Sequence, residues 1–182
     1  MNIPYLLKIL ETDKVSELVA NIEATPLDID LALEDAQAAG QIKVDKEADH
    51  IEVLKEAEPS GDPELANKLL RTIQNYARQN TNITRGRMNA LVKDPMTGAG
   101  YAWHDYITSL HYLIDTGVIE QAVVDVPRAV KKFTDKKGRQ KEKEIRPAHK
   151  FAFLQLPENS ENNAEWNAKI VNKWIDDFAK VK

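Results

Sequence analysis

Apolar residues recur at helical spacing in three short runs at the front of the chain. Ile3, Leu6, Leu7 and Leu10 fall at i, i+3, i+4 and i+7 and predict a helix over residues 3–11. Val15, Leu18, Val19 and Ile22 repeat the spacing, with Asp13 placed to cap a second helix. Thr25-Pro26-Leu27-Asp28 reads as a third helix start: Thr25 can accept a backbone N–H, Pro26 suits the first helical position, and Asp28 completes a capping-box-like spacing. That helix runs to Ala39 and stops at Gly40. The period then changes to two in Ile42-Lys43-Val44 and Ile51-Glu52-Val53-Leu54, and the polar turn Asp45–His50 joins these as a hairpin.

The same order returns on a larger scale. Leu65, Leu69, Ile73, Tyr76 and Ala77 predict a long helix ending near Asn80, and Thr84 can cap a second one carrying Met88, Leu91 and Val92. Pro95-Met96-Thr97-Gly98-Ala99-Gly100 reads as a loop before a third helix, from about Tyr101 to Thr116 and closed by Gly117. Val118–Val126 and Lys150–Leu156 read as paired strands, and residues 127–149 connect them. A last amphipathic helix over about 163–180 presents Trp166, Ile170, Val171, Trp174, Ile175, Phe178 and Val181 on one half of its circumference. Docking on the body of its own chain is the expected use of that face, with a homodimer through this helix or a partner's groove as the alternatives.

Pro, Gly and acidic residues cluster in Glu56–Pro63 without apolar period, which marks a linker. The expected organisation is therefore a first domain over 1–56, a linker over 57–63, a larger domain over 64–156, and a linker with the C-terminal helix over 157–182. The class is mainly α with small β-hairpins, α+β. The chain of 182 residues is 42% hydrophobic and has no cysteine, so disulfides and thiolate chemistry are excluded. No apolar run reaches the roughly 18–20 residues of a membrane span, and Met1-Asn2-Ile3-Pro4-Tyr5 lacks a signal-peptide layout. A cytoplasmic protein without membrane contact is the expectation.

Three helices followed by a hairpin, twice over, resembles the winged helix-turn-helix superfamily. The residues that carry the resemblance are Val15-Ser16-Glu17-Leu18-Val19 and Leu33–Ile42, with its Ala39-Gly40 before a polar residue and Ile42, echoed by Leu110–Ile119. The resemblance implies two tandem winged-helix domains, the second with a long wing over 127–149. It also implies that a third helix could enter a DNA groove while the wing meets the backbone.

Charge decides between the two units. Residues 1–62 hold 15 Asp and Glu against 5 Lys and Arg, whereas 127–150 hold 10 Lys and Arg against 3 acids. The third helix of the first unit presents Asp28, Asp30, Glu34 and Asp35 around Leu27 and Leu31, and such a face repels phosphates. Leu27, Leu31, Asp30 and Glu34 are expected to contact protein, or the two leucines to pack inside the chain. The third helix of the second unit keeps Trp103, Tyr106, Ile107, Leu110, Leu113 and Ile114 for a core. It offers Thr108, Ser109 and Tyr112 as polar groups for nucleic acid. The basic hook supplies Arg128, Lys131, Lys132, Lys136, Lys137, Arg139, Lys141, Lys143 and Arg146, with a turn at Gly138. Arg85 and Arg87 could extend the patch. Phe133 is the hook's one aromatic, too little for a stacking platform.

The enzyme signals are weak. His104 and His111 lie seven residues apart on one helix, with Asp115 at i+4 from His111, but no HEXXH spacing accompanies them. Met96–Gly100 has no Lys-Ser/Thr after it and follows no strand, which argues against a phosphate loop. The expectation is a non-enzyme without cofactor or metal: a nucleic-acid-binding accessory protein of replication or transcription, of the kind a phage or plasmid carries. DNA is the expected partner, or RNA, together with a protein partner for the acidic first domain. The competing reading is an interaction scaffold whose hook grips an acidic protein surface.

Overall fold

The structure is a computed structural model that describes residues 1–93 and 101–180; the loop expected over 95–100 lies outside them. It is mixed α/β and falls into two compact units. Met1–Arg71 joins Leu91–Val118 in the first, and Thr72–Ala90 joins Ile119–Lys182 in the second.

The first unit holds α1 (Ile3–Leu10), α2 (Val15–Asn21), α3 (Pro26–Ala38), the hairpin β1 (Ile42–Asp45) and β2 (His50–Val53), and α6 (Trp103–Asp115). It also takes the first part of α4 (Pro63–Ala77) and the end of α5 (Arg85–Lys93). The apolar positions of the first three helices converge: Ile3, Leu6, Leu7, Leu18, Ile29 and Leu33 are buried with Ile42 and Ile51 of the hairpin and Ile107 of α6. Thr25 caps α3 as its sequence implies, accepting from the Asp28 amide at 3.2 Å. Gly40 (φ +63°) ends the helix, with the Gln41 amide returning to the Ala36 carbonyl at 2.9 Å. Asp13 does not cap α2. The N-cap is Lys14, without a side-chain bond, and the Ser16 amide donates instead to Asp49 in the β1–β2 turn, at 2.8 Å. The Ser16 hydroxyl and amide hold the Asp49 carboxyl below the usual carboxylate range.

Residues 57–63, expected as a linker, are built into this unit. Asn2 donates to Ser60 Oγ at 2.7 Å. Asp62 caps α4, accepting from the Leu65 amide at 2.7 Å, while its own amide donates to Ser109 Oγ at 3.0 Å. Gly61 lies so close to α6 that a Cβ would stand 2.6 Å from Ser109 Cα. α6 also meets α1, where the Tyr5 phenol donates to Asp115 Oδ2 at 3.1 Å and Lys8 pairs with the same oxygen at 3.5 Å. Burial and the Asp115 charge push the Tyr5 phenol well above its ordinary range.

The second unit is built on a three-stranded antiparallel sheet in the order β3 (Ile83–Thr84), β7 (His149–Gln155), β4 (Glu120–Val126). β3 is only two residues long, too short to produce a periodic signal in the sequence. β4 and β7 pair without a register break from Glu120 opposite Gln155 to Val126 opposite His149. A 3₁₀ turn, Pro157–Asn159, leads into α7 (Ser160–Lys180). α7 docks on its own sheet: Val171 is buried with Val126, Phe151 and Phe153, and Ile170, Trp174 and Ile175 pack at the border. Beside this apolar contact runs a buried amide ladder. Asn82 Nδ2 donates to Asn163 Oδ1 (3.1 Å) and Asn167 Oδ1 (2.9 Å), and Asn167 Nδ2 donates to Gln155 Oε1 (3.1 Å). Such a ladder fixes the register of the helix on the sheet, because any slip leaves buried amides unpaired.

Candidate nucleic-acid interface

The basic hook is a second hairpin. β5 (Ala129–Thr134) pairs antiparallel with β6 (Gln140–Arg146), and the irregularity between Ala129 and Val130 marks its foot. At the tip, Gly138 takes φ +75°, a left-handed conformation that glycine adopts without cost. Asp135 organises the turn: its Oδ1 accepts from the Lys137 amide at 2.8 Å and the Arg139 amide at 2.9 Å, and its own amide donates to the Arg139 carbonyl. Those amide donors, Arg139 foremost, with Lys141 adding to them, lower the Asp135 carboxyl below its usual range.

Pairing register sorts the cations onto two faces, because residues directly opposite share a face and neighbours along a strand alternate. On one face Val130 opposes Glu144, Lys132 opposes Glu142 and Thr134 opposes Gln140. This face is neutralised: Lys132 pairs with Glu142 at 3.5 Å, and Arg128 at the foot pairs with Glu144 at 3.0 Å. On the other face Lys131 lies directly opposite Lys143 and Phe133 opposite Lys141. Lys141 reaches Asp135 at 3.2 Å, and Phe133 remains 42% exposed. Among the described residues, no carboxylate forms an ion pair with Lys131, Lys143, Lys136, Lys137 or Arg139. Ten cations that look alike in the sequence thus separate into those engaged at home and five that point their charge at solvent. The alternation of Glu142 and Glu144 with Lys141 and Lys143 is the sequence signal that could have separated them; it becomes readable only once the opposing residues are known.

The other expected contacts divide by unit. Arg146 is half-buried at the hairpin foot and donates to the Pro127 carbonyl at 3.2 Å, so it fastens the hairpin rather than extending its charge. Arg85 donates to Gln121 Oε1 at 2.9 Å, and Arg87 is exposed; both belong to the second unit with the hairpin. Thr108 and Ser109 are not presented to solvent. They belong to the first unit and are 8% and 0% exposed, with the Thr108 hydroxyl donating to the His104 carbonyl and Ser109 Oγ accepting from Asp62. Helical periodicity assigns α6 one core face, but α1 and the 60–62 segment cover it from more than one direction, and small hydroxyl residues suit such close contacts. Tyr112 stays exposed, also in the first unit.

On α3, Leu27 is 66% and Leu31 50% exposed, so the alternative in which they pack inside the chain does not hold. Asp30 pairs with Lys46 at 2.9 Å, and Glu34 is exposed. His104 turns to its neighbour Asp105 at 3.3 Å. Among the described residues no group of three or more His, Cys, Asp or Glu could hold a metal ion, and no described helix is long and apolar enough to cross a membrane. Comparison of the chain with protein-family models, with curated proteins and with solved structures gave no match.

Proposed function

We propose that the chain binds nucleic acid through the Lys131–Lys143 face of the β5–β6 hairpin, as an accessory protein of replication or transcription. The observation that carries this reading is the like-charge pair itself. Two lysines directly opposite on one face of an antiparallel pair repel, at a cost to the hairpin. Their Cβ atoms stand about 5 Å apart, near enough for both ammonium groups to close on the oxygens of one phosphate. Phe133 beside them supplies an apolar surface for a sugar or base, and Lys136, Lys137 and Arg139 at the tip extend the charge along a backbone. Contacts of this kind grip phosphate without reading sequence.

The sheet and wing support the winged-helix reading of the second half, in that β3 lies between α4 and α5 and joins the β4–β7 hairpin as a third strand and the β5–β6 hairpin continues from it as a wing, whereas the third helix of that reading, α6, belongs to the first unit. In the first unit the order α1, α2, α3, β1, β2 supports the same reading. Its α3 carries exposed leucines amid carboxylates, and we assign it contact with a protein partner.

The test is a titration of labelled duplex and single-stranded DNA with the full chain at low salt. Lys131→Ala with Lys143→Ala is expected to weaken binding at least tenfold, and Lys132→Ala, on the neutralised face, by less than threefold. Equal losses for the two faces would refute this assignment. Absence of binding even at low salt would return the hairpin to an acidic protein surface.

A further inference from the structure

The outer edge of β4 is a strand edge with little of the usual protection at its centre. β4 ends the three-stranded sheet, and among the described residues no strand pairs with its other side. Natural edges are guarded by lysines, proline, bulges or short length. The opposite edge of this sheet, β3, has two residues, and both strands of the β5–β6 hairpin are studded with lysine. β4, by contrast, is seven residues long, contains no lysine or proline and has no bulge; its two charges, Glu120 and Asp125, stand toward its ends, and Val123 at its centre is 54% exposed.

The strand is also complementary to itself. If two copies of Glu120–Val126 run antiparallel about a two-fold axis at Val123, Val123 faces Val123 and Ala122 faces Val124. Gln121 then faces Asp125, and Glu120 faces Val126. Every central pair is apolar, the amide of Gln121 meets a carboxylate it can donate to, and no carboxylate opposes another. Centring the pair one residue earlier or later keeps the faces matched but shortens the ladder, and the later position sets Val123 against Asp125. The two β7 strands of such a pair would lie about 14 Å apart, wider than the 8–10 Å at which helices pack, so the two α7 helices resting on them would not collide.

We infer that β4 pairs with β4 of a second copy of this chain to form a continuous six-stranded sheet. This dimer uses the sheet edge, leaving the apolar face of α7 on its own sheet, and it stands independently of nucleic-acid binding.

The test exploits the exposure of Val123 and the absence of cysteine. By sedimentation equilibrium the full chain is expected to dimerise. Val123→Lys and Val123→Asp are each expected to remain monomeric, while an equimolar mixture of the two recovers the dimer through a Lys–Asp pair on the axis. With a mild oxidant, Val123→Cys is expected to give a disulfide-linked dimer, since directly opposed strand residues lie within disulfide reach. Val118→Cys, exposed but outside β4, is expected to give none. A wild-type chain that stays monomeric into the millimolar range would overturn the inference and leave the edge to a foreign peptide. So would a dimer that survives Val123→Lys, a mixture that fails to associate, or a Val123→Cys chain that does not cross-link; circular dichroism of each variant guards against misfolding.

Discussion

At the scale of single residues, the decisive feature of the first unit is Gly61. Its position in an acidic, Pro- and Gly-containing stretch suggests a flexible joint, yet its lack of a side chain is what lets the 60–62 segment lie against α6. A Cβ there would approach Ser109 Cα to 2.6 Å, closer than van der Waals contact allows, so one backbone must move. Gly61→Ala is expected to lower the unfolding free energy by about 1–3 kcal/mol, read from a urea titration, despite the entropy that alanine removes from the unfolded chain. A neutral or stabilising result would show that the segment is loosely held. The sequence carries no sign of this contact, because a glycine in a turn and a glycine under a helix are spelled alike. Thr25 and Gly40 are readable for the opposite reason: capping and helix termination act within a few residues, so the residues that decide them are adjacent in the sequence.

At the scale of elements, local periodicity reveals the helices and the two longer hairpin strands β4 and β7. It does not reveal β3, which exists only through its partner β7, and it leaves the hook as a connection although the hook is a paired hairpin. Repeated lysines hide the alternation of β5 and β6 because both faces are polar. Asp135 is the residue that makes the tip a defined turn. Its carboxyl is held below the ordinary carboxylate range chiefly by the Arg139 and Lys137 amides, so the charged form is favoured in the folded tip. For a group whose folded pKa is depressed, the stabilisation is present above the unfolded value of about 4 and is lost as pH falls through the folded value. Protection of the Lys137 and Arg139 amides from exchange, relative to their intrinsic rates, is therefore expected to hold at neutral pH and to fall below about pH 4. Asp135→Ala is expected to abolish it at every pH. Unchanged protection in that variant would contradict this account of the turn.

At the scale of the whole molecule, charge follows the two units more closely than it follows the order of the chain. The first unit carries 8 Lys and Arg against 19 Asp and Glu, and the second 17 against 10, a net of −11 beside +7. The regional pattern of charge is legible in the sequence. The membership of α6 is not, since its apolar periodicity fits a core without saying which one, and this is why Thr108 and Ser109 look available in the sequence when they are buried in the fold. What the structure adds to the cationic region is direction, with one face of the hairpin neutralised and the other left with five cations free of ion pairs among the described residues. Each phosphate neutralised on duplex DNA contributes about −0.9 to the slope of log affinity against log salt.

The most direct measurement is therefore that slope for the full chain on duplex DNA. If the five free cations are the contacts, it is expected at about −4.5, and Lys131→Ala with Lys143→Ala should make it shallower by about 2, while Lys132→Ala should leave it within about half a unit. A slope near zero, or one that Lys132→Ala changes as much as the Lys131 and Lys143 pair does, would contradict the account.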